Sequence, residues 1–220
     1  MLFLEGFLLK EKNENLSTVS EKKCIKNSSG SVVKNLSREE VKRLFRVIKN
    51  HGSLRDLAIF QVSYYCGLRV SEVGMLTHAD WDDKAGVLRI RRLKGSLLTR
   101  CFLDSHRAIV LRRYLKSVVF DSPTDPLFPS RHGFGISRYT LHKLMKKYCA
   151  LARIPLSLRH YHVLKHSIAV HMLDSLAGLE DVQYHLGHAD IKNTKIYAKY
   201  SSARSQRFNQ LIRKSNYIAR

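Results

Sequence analysis

Residues 158–199 read LRHYHVLKHSIAVHMLDSLAGLEDVQYHLGHADIKNTKIYAK, and the spacing of polar groups within them decides how the rest of the chain is understood. His162 and Lys165 stand three apart, so on a helix they share a face and can grip one ligand. Leu164, Ile168, Met172 and Ser175 follow a helical period on another face, which predicts a helix that buries one side and offers its His/Lys side to a partner. Gly178 is its expected end. A second, short helix should bury Leu179, Val182 and Leu186 and stop at Gly187, which puts His188 at a turn. Tyr197 then sits among Lys192, Lys195 and Lys199, whose positive charge should favour the phenolate and attract phosphate. This stretch suggests a phosphate-handling site with a tyrosine beside it.

At 220 residues the chain can bury one good-sized core and carry a small appendage. It holds 39 Lys and Arg against 18 Asp and Glu, a net charge of +21, yet is 44% hydrophobic. That combination indicates a folded protein with a polyanionic partner; on charge alone DNA, RNA, an acidic membrane surface and a generic basic protein all stay open. Cys24, Cys66, Cys101 and Cys149 form no CxxC pair, so neither a zinc site nor a disulfide framework is expected, and a reducing compartment is. The opening MLFLEGFLL contains Glu5, lacks a basic start and is short, so it reads as neither signal peptide nor membrane span. Residues 10–31 are polar and end in NSSGS, the composition of a linker.

Beyond residue 33 the local signals are those of a mainly helical domain. Ser37 with Glu40 writes a capping box before Val41, Leu44, Phe45 and Ile48. A second helix is predicted over 54–66, closed by Gly67, and a third opens on Arg69, where an arginine and free backbone N–H groups can share an anion. Residues 87–93 and 97–103 read as two strands joined by a turn at Lys94, Gly95 and Ser96. Residues 105–119 follow as a helix, and 121–135 as loop. Ser137 then caps an amphipathic helix whose outer face carries Arg138, Tyr139, His142, Lys143, Lys146 and Lys147, either solvated surface or a nucleic-acid contact. Residues 201–214 read as a last helix. The sequence contains no Gly-rich phosphate loop, carboxylate cluster or His/Cys metal spacing, so no cofactor or metal is expected.

The His-x-x-Lys pair, the Leu-Gly-His at 186–188, Tyr197 nine residues on, and Gly67-Leu68-Arg69-Val70-Ser71-Glu72 together resemble the tyrosine recombinase (phage integrase) family, over roughly residues 33–214. The resemblance implies the family's catalytic-domain fold, mainly α with a small antiparallel β-hairpin or sheet. Residues 1–32 would be an extension without a separate core-binding domain, and 33–220 the catalytic domain with its C-terminal helix. Such a short form is similar to the fimbrial phase-switch invertases.

By the same resemblance the catalytic residues are Arg69, Lys94, His162, Lys165, His188 and Tyr197. Tyr197 would attack a DNA phosphodiester and become linked to a 3′-phosphate. Arg69, His162, Lys165 and His188 would hold the phosphoryl oxygens, and Lys94 would protonate the departing 5′-oxygen. Lys165 departs from the family pattern, which has arginine there. A lysine keeps the charge but loses the planar fork, so a smaller loss than outright removal of a donor is expected. Implied partners are double-stranded DNA, further copies in a tetramer on paired sites through the C-terminal helix, and a partner recombinase or accessory DNA-bending protein. The implied location is cytoplasmic, at the nucleoid. Two other functions share the fold: non-catalytic DNA binding, and DNA relaxation of the type IB kind.

Overall fold

The computed structural model describes residues 33–93 and 98–200. Helix α1 (Arg38–His51) begins as predicted: the Ser37 hydroxyl accepts from the Glu40 N–H, the Glu40 carboxylate accepts from the Ser37 N–H, and Val41, Leu44 and Ile48 face inward. Helix α2 (Leu54–Tyr65), capped by Ser53, is buried along most of its length, including Phe60 and Val62. It therefore forms the axis of the domain, touching α1 on one side and helices α4 (Ser105–Leu115) and α6 (His162–Asp174) on others. Between α2 and α4 lie the short helix α3 (Val70–Val73) and a three-stranded antiparallel sheet in the order β1 (Trp81–Asp82), β2 (Val87–Ile90), β3 (Thr99–Phe102). Leu88 and Ile90 point to the core from β2, as their alternation predicts. Helices α5 (Arg138–Leu151), α7 (Leu179–Leu186) and α8 (Lys192–Ala198) complete the α-helices of the described residues.

Three expectations are corrected. The two long strands shrink to four residues each, and a short partner, β1, appears where a polar connection was expected. The helix after β3 stops at Leu115. Helix α6 ends at Asp174, one turn before Gly178; Arg38 reaches from α1 to the His171 carbonyl and Ser175 hydroxyl, and Leu176 takes the left-handed conformation expected of a glycine.

Nor does α6 have a single buried stripe. Val163 and Leu164 enter the main core with α1, α2 and α5, whereas Ala169, Val170 and Leu173 enter a second cluster with Val182, Leu186 and Tyr197. A helix wedged between two cores is buried almost all round, and that burial sets the electrostatics of the basic residues it carries. Among the described residues no helix is long and apolar enough to cross a membrane.

Candidate active site

Gly67, in the left-handed conformation at φ 56°, turns the chain out of α2 and delivers Arg69 to the N-cap of α3. There the Glu72 carboxylate accepts from both the Arg69 N–H and the Arg69 guanidinium, each at 2.8 Å. The same carboxylate pairs with Arg92 at 2.9 Å, and both of those side chains are wholly buried. Burial alone would raise the Glu72 pKa, but Arg92 and Arg69 hold it below the ordinary carboxylate range.

Arg92 leaves no donor idle. Its remaining N–H groups reach Thr99 Oγ1 at 2.8 Å, the carbonyls of Gly67 and Cys66 at 3.2 and 3.0 Å, and the carbonyl of His185. One buried side chain thus ties the β2–β3 hairpin to the α2 terminus and to the end of α7. The next carbonyl of α7, on Leu186, accepts from Lys165 Nζ at 2.7 Å. Two buried basic side chains therefore donate to C-terminal carbonyls that a helix leaves open. Gly187 follows at φ 61° and turns His188 back toward α6, with His188 Nδ1 2.9 Å from Thr194 Oγ1.

These residues meet around one opening. A cavity of about 760 Å³ is lined by Arg69, Ser71, Arg138, His162, His188, Asn193 and Tyr197 among others. A smaller recess of about 170 Å³ is formed by Arg69, His162, Lys165, His166, His188 and Tyr197. Five of the six residues singled out in the sequence, Arg69, His162, Lys165, His188 and Tyr197, line that recess. Lys94 lies outside the described residues, as do the predicted helix over 201–214 and the segment 1–32.

The electrostatic expectation for Tyr197 is reversed. Its side chain is only 2% exposed, and burial pushes the hydroxyl up to about 12, with Arg69 opposing. The free chain thus holds a neutral phenol. Lys165, buried and facing Arg69 and Arg92, is pulled down to about 6 and is not presented on an outer face. Burial together with Lys165, Arg69 and Arg92 takes His188 down to about 3, and burial with His142, Lys165 and Arg69 also lowers His162. Arg69 brings a guanidinium to the recess, while the lysine and histidines around it are held toward neutrality.

Two residues of this site escaped the sequence reading. His166 places Nδ1 2.9 Å from the Tyr197 hydroxyl, and Arg92 organises the backbone behind the recess. His166 carried a legible signal, standing four residues after His162 and so on the same helix face. Arg92, inside the run Arg89-Ile90-Arg91-Arg92, looked like its exposed neighbours.

The sequence matches the phage integrase family over residues 34–204. It is 36% identical over 161 residues to the tyrosine recombinase XerD of Pseudomonas putida, covering 70% of this chain and 53% of that protein. To the XerD of Proteus mirabilis it is 34% identical over 183 residues, covering 80% of this chain and 58% of the other. The chain thus spans between about half and three fifths of the length of these curated relatives. Among solved structures, XerA recombinase superimposes with a TM-score of 0.70 at 26% identity, covering 81% of this chain and 65% of that one. XerH bound to its palindromic difH substrate, in a post-cleavage complex, gives 0.71 at 21% identity over 86% of this chain and 56% of the other, a likeness of fold.

Proposed function

The chain belongs to the phage integrase family, and from that premise we propose that it is a tyrosine-type site-specific recombinase that cleaves and rejoins double-stranded DNA through a 3′-phosphotyrosyl intermediate. The observation that carries this reading is the recess itself: Arg69, His162, Lys165, His188 and Tyr197, drawn from three separate stretches of chain, converge on a space of about 170 Å³. An entering phosphodiester would supply the negative charge that the lysine and histidines lack a partner for, and their protonation would in turn stabilise the charge that builds on phosphorus. Tyr197 attacks; Arg69, Lys165, His162 and His188 hold the non-bridging oxygens; Lys94 is assigned, from its position after β2, to the departing 5′-oxygen. Because the phosphotyrosine conserves the bond, a second 5′-hydroxyl can reverse the step on another strand.

Residues 33–220 act in this proposal as the catalytic domain and 1–32 as an extension; the family match beginning at residue 34 supports that division. The DNA-facing surface is the outer side of α5, where Arg138, Tyr139, Lys143, Lys146 and Lys147 are exposed and Arg138 also lines the cavity. A tetramer on paired sites, joined through residues beyond 200, an accessory DNA-bending protein or partner recombinase, and residence at the nucleoid belong to the same proposal.

Adduct capture tests it without a known target. The chain is incubated with sheared genomic DNA from its own source, denatured, and the covalently retained fragments are sequenced, with Tyr197→Phe in parallel. Fragments sharing a common sequence and missing from the variant are expected. Tight binding with no adduct would favour a non-catalytic DNA-binding protein, a reading to which the buried, neutral Tyr197 lends its one specific support.

A further inference from the structure

We propose that His166 is a further catalytic residue, the base that takes the proton of the Tyr197 hydroxyl as its oxygen attacks phosphorus and returns it on rejoining. The inference rests on the recombinase reading and names a proton acceptor, which that reading leaves without a residue.

The geometry singles out His166 from the three histidines of the recess. His166 Nδ1 lies 2.9 Å from the phenol oxygen, with ring centroids 5.7 Å apart. His188 stacks parallel to the Tyr197 ring at 6.4 Å, but its Nδ1 is engaged by Thr194. His162 lines the recess and shares no hydrogen bond with the phenol among the described residues.

The cationic and titratable groups that face His166 are His162 and Lys165 on α6, His160 just before it, and Tyr197, His188 and Arg69 across the recess. Burial first, then His162, His160 and Lys165, hold the imidazole down to about 4. With the remaining proton on Nε2, its Nδ1 lone pair faces the phenol O–H. A phenol held near 12 cannot ionise unaided at neutral pH, so it needs an acceptor already in place.

The step balances. The Tyr197 oxygen forms a bond to phosphorus as its proton moves to His166 Nδ1; the bond from phosphorus to the 5′-oxygen breaks, and that oxygen takes a proton from the group serving it. On rejoining, the 5′-hydroxyl attacks phosphorus as its proton returns to the group that served the 5′-oxygen, and the tyrosine oxygen leaves with the proton from the His166 imidazolium.

The test uses His166→Asn, whose amide occupies the position of Nδ1 and can still hydrogen-bond the phenol but cannot carry its proton, and His166→Gln as a second variant. Folding is checked by thermal melting and DNA affinity by titration. The substrate is a duplex bearing the captured sequence, with either oxygen or sulfur bridging to the 5′-carbon. Sulfur leaves without a proton, so it rescues a missing acid and not a missing base.

We expect folded variants with unchanged affinity that form adduct on the order of 10²–10³-fold more slowly at pH 7, a deficit that narrows as pH rises and persists with sulfur. A rate within a few-fold of the parent, a deficit independent of pH, or restoration by sulfur would overturn the assignment. Absence of any Tyr197-dependent adduct from the parent protein would instead overturn the recombinase reading.

Discussion

Lys165 shows how placement changes what a residue is. On an exposed helix face it would be an ordinary ammonium; wedged between two cores, 5% exposed and bonded to the Leu186 carbonyl, it is held down to about 6 against 10.5 when free. Between those values the unfolded chain binds a proton that the folded chain does not, so stability must rise with pH across that window. His166 and His185, both near 4 against 6.5, act in the same direction from about pH 4 to 6.5. The melting temperature should therefore fall as pH drops from 9 toward 4. Lys165→Met should remove the dependence above pH 6.5, where the histidines no longer titrate, and leave their part below it. Melting curves at pH 5, 7 and 9 measure this, and equal slopes for parent and variant between 7 and 9 would mean that the buried lysine stays charged.

The element that positions most of the site is the end of α7, where Arg92 and Lys165 cap consecutive carbonyls and Gly187 reverses the chain. A methyl group on Gly187 would suffer twice: the left-handed conformation disfavours it, and it would press into the Arg92 side chain. Gly133 is also left-handed, at φ 80°, but a methyl there meets no atom within 4 Å. Gly133→Ala should cost about 1–2 kcal/mol, the conformational part alone, and leave adduct formation intact. Gly187→Ala should cost more and also slow adduct formation, because displacing Arg92 shifts Glu72 and through it Arg69. Urea unfolding of the two variants separates these contributions; equal costs would show that Arg92 yields freely.

For the whole molecule the governing quantity is its charge of +21. Phosphate neutralisation releases counterions, so the logarithm of DNA affinity should fall linearly with the logarithm of salt concentration, with a slope of about −0.9 for each phosphate neutralised. If the outer face of α5 lies on the backbone, Lys143→Ala and Lys146→Ala should each reduce that slope by about one while weakening binding to all sequences alike. Titrations between low and moderate salt read this directly; unchanged slopes would make that face solvated surface.

What the sequence determined by itself was whatever depends on neighbours a few positions away. The Ser37 capping box, the Ser137 cap, the glycine stop at 187 and the Leu88/Ile90 alternation all appear where the local pattern puts them, because caps and turns are satisfied within four residues and strand alternation within two. The motif residues were legible for the same reason, each lying in a short, distinctive string. Tertiary structure alone decided the rest. Arg92 and Arg91 are adjacent and chemically identical, yet one is buried against Glu72 and the other exposed, a difference set by partners about 20 and 90 positions away. The end of α6 was set by Arg38 reaching across from α1, and the sheet gained a strand because β2 offered it an edge. Above all, the charge states in the recess come from burial, which no short string encodes: lysines near Tyr197 in sequence suggested a phenolate, and the packing of α8 against α6 makes it a neutral phenol on His166.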